Sequence, residues 1–201
     1  EQVFDTPTGI AKFALMSLAA TLVSATIGAS SLAVAGFAEA SSFISVWLTW
    51  WLGDLAGALV VTPVVLLWAK SEPASLTPPQ ITGTGLTYLA AVAVGVMVFG
   101  CPVMHHVPVP DALGFLGLLP LLWASLRQGP RDTATVALII SAFAVGCTLL
   151  RCGPFAKPSL NDSFILLLAF TISTSVLSLA LSTDVAVRRR IENQQRQRSL
   201  E

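Results

Sequence analysis

Asp54 lies inside WLTWWLGDLAGALVVTP, residues 47–63, a run otherwise apolar and aromatic enough for the interior of a membrane helix. An aspartate at the centre of such a helix costs about 2.5–3.5 kcal/mol on insertion scales. A residue of that kind is expected to face the bundle interior or a watery cavity. On a helix, Trp47, Trp50, Trp51, Ala58 and Val61 fall on or beside the face that carries Asp54. Gly53 and Gly57 form a G-x-x-x-G pair, the spacing that lets a second helix backbone come close. No Lys or Arg falls at a matching depth, so the expected partners are Ser, Thr or Trp on neighbouring helices. The available chemistry is hydrogen bonding by a carboxylate among indole N–H donors. Three roles stay open for it: tying helices together, binding a ligand or switching, and moving a proton. No acidic or histidine chain through the other helices supports the last.

A second set is CPVMHH, residues 101–106, together with Cys152. Cys, Met and His are soft-metal ligands, but their spacing is irregular, and no metal or cofactor is expected. Cys101 and Cys152 fall on the same side and are candidates for a disulfide in an oxidising compartment. Unpaired residues in an interfacial loop are the third reading, and Cys147, one turn inward, reads as core. No phosphate-binding glycine loop, no Ser-His-Asp set and no H-E-x-x-H signature occurs. No enzyme is expected within these residues.

The elements that must position these groups are membrane helices. Of 201 residues, 54% are hydrophobic and 11% charged, and mean hydropathy is +0.77. Soluble domains carry about 25% charged residues, so the fold class is an all-α polytopic membrane protein. Six apolar segments can be marked out: 8–37, 42–69, 82–101, 112–126, 132–150 and one beginning near 162. The fourth is short, and its Pro120 is expected to kink it into a tilted or partial span. RQGPR, residues 127–131, puts Gly129 where a helix ends and Pro130 where the next begins, predicting an antiparallel hairpin. NDS, residues 161–163, is expected to supply the cap of the sixth helix. Pro63 and Thr62 lie within the second.

Alternating sides from the N-terminus, Lys12, Lys70, Arg127, Arg131 and five tail arginines fall on one face. Only Arg151 and Lys157 fall on the other. That asymmetry predicts that both termini are cytoplasmic. From Ser163 to Glu201 there is neither Gly nor Pro, so the sixth helix is expected to run on past the bilayer. Residues 1–183 are read as the transmembrane bundle and 184–201 as a cytoplasmic signalling helix. Val187 and Ile191 would begin a seam with a partner helix. The alternative is a polybasic anchor at anionic headgroups.

Two blocks resemble a known family, the first-class membrane-associated sensor domain of bacteria (MASE one). They are WLTWWLGDLAGALVVTPVVLLW, 47–68, and LPLLWASLRQGPRDTATVALIISAFAV…GPF, 119–155, with the last helix and its basic exit following. The matching positions are Trp50, Trp51, Gly53, Asp54, Gly57, Thr62 and Pro63, then Pro120, Trp123, Gly129 and Gly153-Pro154-Phe155. Family members have more spans than these, which implies that preceding helices lie outside this sequence. The resemblance implies an input module of the bacterial inner membrane, fused to a histidine kinase, diguanylate cyclase or phosphodiesterase and answering a small molecule or a protein. The expected partners are the lipid bilayer, a fused cytoplasmic output domain and a second copy in a homodimer, with no nucleic acid. Asp54, Trp47, Trp50 and Trp51 are the expected switching or ligand-binding residues. Gly53, Gly57, Thr62 and Pro63 are the expected packing residues. A small-molecule permease or substrate-capturing subunit is the rival reading, and it predicts a short C-terminus.

Overall fold

The computed structural model describes residues 3–37, 40–70, 78–100 and 111–199. Among these the secondary structure is entirely helical: α1 Pro7–Val34, α2 Phe43–Ala69, α3 Pro78–Phe99, α4 Leu118–Arg127, α5 Pro130–Leu149 and α6 Leu160–Arg198, with short 3-10 turns at Ala40–Ser42 and Asp111–Gly117. All but α4 are long and apolar enough to cross a membrane. Large apolar side chains such as Leu15, Met16, Ile27, Leu86, Leu89 and Leu177 stand outward. In water that surface would drive aggregation; against hydrocarbon it is matched to its solvent. The protein is an all-α membrane protein.

The fourth span is divided in two. Asp111–Gly117 is 3-10 helix and only the next ten residues form α4. At about 2.0 Å per residue for the first and about 1.5 Å for the second, they rise roughly 29 Å together, close to a bilayer's hydrocarbon core. Pro120 lies just past the change from 3-10 to α-helix. It falls in the first turn of α4, where its missing N–H would have had no intrahelical partner. Five helices among the described residues are long and apolar enough to cross, and the fourth segment is a shorter apolar one.

Local sequence explains the ends. Thr6 Oγ1 accepts from Gly9 N at 3.1 Å, with Pro7 as the first residue of α1. Gly36, at φ 76°, lets the chain turn so that Phe37 N reaches Leu32 O at 3.0 Å and closes α1. Gly129, at φ 134°, and Pro130 make the α4–α5 hairpin as the spacing predicts. At α6 the cap differs from expectation. The helix starts two residues before Asp162, because Ser159 Oγ accepts from Asp162 N at 3.4 Å. Asn161 is thereby left to reach another helix, and Asp162 joins the first turn, where an acid suits the helix dipole.

α6 is the hub. It packs against α1, α2, α4 and α5, while α3 stands on α5 and α4. One core cluster joins Phe99 of α3, Leu121 of α4, Ile140 of α5 and Leu167 and Phe170 of α6. Gly153, at φ 87°, turns the chain so that Phe155 enters it, with its ring 5.0 Å from Phe170 and 5.8 Å from Phe99. A smaller cluster of Phe4, Ile10, Ala134 and Leu179 closes the other end. Burial along α6 reaches Thr183, and every residue from Arg188 to Ser199 is exposed. Its 39 residues give roughly 58 Å of helix, about twice the hydrocarbon thickness.

Candidate functional site

Asp54 meets α1. Its Oδ2 accepts a hydrogen bond from Ser24 Oγ at 2.7 Å, and the residue is half-buried at the α1–α2 contact. The three tryptophans turn the same way. Trp47 Nε1 donates to Thr26 Oγ1 at 3.1 Å and Trp51 Nε1 to the main-chain oxygen of Leu18 at 3.3 Å. Their rings stack with centroids 5.5 Å apart. Trp50 lies against Gly28, where an added Cβ would fall 2.6 Å from the indole. The helical spacing thus collected Asp54, Trp47, Trp50 and Trp51 on one face as anticipated, and the partner of Asp54 is a hydroxyl of a neighbouring helix. The face lies at the contact with α1, a helix that among the described residues packs chiefly on α2 and α6.

The glycine pair does not do what its spacing suggests within the chain. Apart from chain neighbours and nearby backbone of α2 itself, no atom of the described residues lies within 4 Å of a Cβ built at Gly53 or Gly57. The close α1–α2 approach is made by Gly28 instead. Pro63 is buried and Thr62 half-buried in α2. The remaining polar groups of α2 reach two other helices. Asn161 of α6 donates to Ser45 Oγ at 2.5 Å and accepts from Thr49 Oγ1. Trp68 Nε1 donates to Thr135 Oγ1 of α5 at 2.9 Å. α2 is therefore hydrogen-bonded to α1, α5 and α6 through the block that carries the family resemblance.

The more closely knit site stands at the opposite end of α2, around the α4–α5 hairpin. Asp132, 8% exposed, sits in the first turn of α5. Tyr88 of α3 donates to its Oδ1 at 2.7 Å, and Arg131 Nε approaches the same oxygen at 3.2 Å. The Arg131 guanidinium lies over the Trp68 ring, 4.8 Å from its centroid, so one cation joins a carboxylate to an aromatic face. Gln128 accepts from Thr84 Oγ1 and donates to Thr87 Oγ1, both at 3.1 Å. Side chains of α2, α3, α5 and the end of α4 are thus tied together, and Arg131 also borders the hollow where α6 leaves.

A family model for MASE1 matches residues 3–189. The chain belongs to the MASE1 family. MASE1 is a membrane-associated sensory domain of signalling proteins and is not itself catalytic. Neither a curated protein nor a solved structure matches this MASE1 domain.

Asp132, Tyr88, Arg131 and Gln128 escaped sequence reasoning as site residues. The available signal was the acid and two arginines around a Gly-Pro turn, which the spacing argument used only to place a hairpin. The side chains of CPVMHH, including Cys101, His105 and His106, lie outside the described residues, and with them both the metal and disulfide readings. Two hollows remain. A lateral groove of about 550 Å³ runs between α4 and α6, lined by Phe115, Leu122, Phe170 and Leu177 with Ser125 and Ser178 at its edge. It opens sideways, so in a bilayer it meets lipid chains. The second, smaller and lined by both charged and apolar side chains, lies where α6 emerges.

Proposed function

We propose that this MASE1 domain is the input module of a bacterial histidine kinase or cyclic di-GMP enzyme, and that α6 carries the signal to a cytoplasmic output domain. One observation carries the reading: α6 is at once the helix packed against most of the bundle and the one that continues as an unbroken helix beyond it. A stimulus can act only by binding two arrangements of the bundle with different affinity. Any such rearrangement must displace α6, since α1, α2, α4 and α5 all rest on it. The charge distribution supports cytoplasmic termini in the inner membrane. Lys70, Arg131 and Arg190 gather at one end, while Arg151 bonds the main-chain oxygen of Pro158 in the loop between α5 and α6 at the other. A homodimer suits the reading, with Ile191, 49% exposed, open to a partner helix. Val187 instead borders the smaller hollow, which narrows the seam expected from the sequence.

The test uses the full-length protein with its output domain. One alanine inserted after Gln194 rotates everything beyond it by about 100°, whereas seven restore the phase to within about 20°. Output is expected to change with one added residue and to be largely regained with seven. If neither insertion alters output or its response to stimulus, the helix is not the transmitter.

A further inference from the structure

We propose that the α4–α5 hairpin is a clasp through which α3 sets the position of α6 where it leaves the bundle. α3 packs on α4 and α5, and among the described residues it makes no comparable contact with α6. Any influence of α3 on the emerging rod must therefore pass through its neighbours. The last residues before the turn, Leu126, Arg127 and Gln128, are bonded to both helices at once. On one side, Gln128 accepts from Thr84 Oγ1 and donates to Thr87 Oγ1 of α3, both at 3.1 Å. On the other, Arg189 of α6 donates to the main-chain oxygens of Leu126 at 2.5 Å and Arg127 at 3.4 Å.

Local geometry makes the connection short and stiff. Gln128 N and Gly129 N both turn back to Ala124 O, so α4 closes there and its later carbonyls have no partner within the helix. Arg127 O and Gln128 N belong to one planar peptide unit. The acceptor held by α6 and the backbone of the residue held by α3 therefore move together. The Arg127 side chain is engaged elsewhere, over the Trp123 ring at 5.4 Å, and its carbonyl is left to Arg189.

α3 grips the hairpin on both sides of its turn. Thr84, Thr87 and Tyr88 stand at the spacing that places side chains on one helix face. The threonines hold Gln128 before Gly129 and Pro130, and Tyr88 donates to Asp132 Oδ1 after them at 2.7 Å. Thr87 is 3% exposed, and its hydroxyl donates to Gly83 O at 2.9 Å while it accepts from Gln128. The hold on α3 is thus sheltered, whereas the hold on α6 is exposed and the weaker of the two. A shift or rotation of α3 carries the hairpin with it and moves the carbonyls that Arg189 holds. Each contact alone is ordinary, a satisfied amide and a capped helix end. Their adjacency within three residues is what joins α3 to α6. Any consequence for output rests on the signalling reading; the positioning of α6 does not.

The test reads the position of α6 in the full-length protein in nanodiscs, from distances between spin labels at Met16 of α1 and Asn193 of α6. Both sites are exposed and lie outside the clasp. Thr87→Val keeps the shape and removes the hydroxyl; although it lies on α3, it is expected to widen the Met16–Asn193 distribution. Gln128→Ala and Arg189→Ala should widen it too, and Thr87→Ser should keep the parent's width. Gln128→Ala combined with Arg189→Ala should widen it no further than the larger single change, because the two contacts act in series. A second pair, Met16 and Leu177 on the membrane-spanning part of α6, should stay as in the parent, whereas a general loosening would widen both pairs. Thr84→Val carries the same expectation where Thr87→Val does not insert. Parent widths in both the α3 variant and Gln128→Ala overturn the proposal, as do additive effects in the double variant or a widening of both pairs together. No readout involves output, so the clasp fails or stands apart from the transmission by α6.

Discussion

Arg189 of α6 donates to the main-chain oxygens of Leu126 at 2.5 Å and Arg127 at 3.4 Å, the last carbonyls of α4. A cation here supplies donors that α4 cannot find within itself and complements the negative end of its dipole. The contact ties the root of the emerging rod to the shortest helix of the bundle. Arg189→Ala should therefore cost little stability, no more than about 1 kcal/mol for so exposed a site, yet loosen α6 against α4. Spin labels at Leu119 and Asn193, both exposed, should give a broader distance distribution in the variant. An unchanged distribution would mean that α6 is held by its buried part alone.

Ser24 and Asp54 should behave as a coupled pair. A thermodynamic cycle over Ser24→Ala and Asp54→Ala, read by unfolding in detergent, should return a coupling of about 0.6–1.7 kcal/mol, the range for hydrogen bonds between membrane helices. Asp54→Asn keeps an acceptor for Ser24 and removes the charge. It is expected to leave insertion intact and to change the output of the full-length protein. If Asp54→Asn and Asp54→Ala both preserve output and stimulus response, Asp54 only joins α1 to α2.

These two sites mark what was legible in the sequence and what was not. Composition dictated a membrane bundle, and residue types at RQGPR dictated its hairpin, because hydropathy and backbone conformation are local properties. Helical spacing also collected the tryptophans and Asp54 on one face. Which neighbour that face meets is not local: α1 covers it, and Gly28 rather than Gly53 or Gly57 makes the close approach. The cap of α6 moved from residues 161–163 to Ser159 because Asn161 bonds Ser45 and Thr49 of α2 instead. The Asp132 network was hidden for the same reason, since Tyr88 lies 44 positions away.

Gly28 and Gly57 give opposite forecasts. A Cβ at Gly28 would fall 2.6 Å from the Trp50 ring, so Gly28→Ala should destabilise by about 1–3 kcal/mol, as overpacking does. Trp50→Leu in the same chain should recover part of that loss. Gly57→Ala meets open space and should stay within about 0.5 kcal/mol of the parent. Thermal melts of the three variants decide it. A tolerated Gly28→Ala would show that α1 does not pack on α2 at this point.

Tyr88→Phe removes the hydroxyl that donates to Asp132 Oδ1 at 2.7 Å. Hydrogen bonds to charged groups contribute about 1.5–3 kcal/mol, and Asp132, 8% exposed, has little water to substitute. The variant should melt lower by an amount in that range, and Asp132→Asn should make the further loss of Tyr88 smaller. If Tyr88→Phe costs the same with Asp132 as with asparagine, the two groups do not interact.

Along α6, Thr171 Oγ1 and Ser175 Oγ are buried one turn apart with no hydrogen-bond partner among the described residues. An unpaired buried hydroxyl costs about 1–3 kcal/mol relative to a satisfied one. Thr171→Val keeps the shape and removes the unmet group, so it should stabilise the bundle by about 1 kcal/mol, at the low end of that range. Ser175→Ala should act in the same direction by less, because it also leaves a small void. A helix that must shift gains from not being locked at such positions, so the stabilised variants should also respond to stimulus more weakly in the full-length protein. If Thr171→Val destabilises, then these hydroxyls are satisfied in the membrane, by water or by rotation onto the preceding turn's carbonyl, and the stored instability in α6 does not exist.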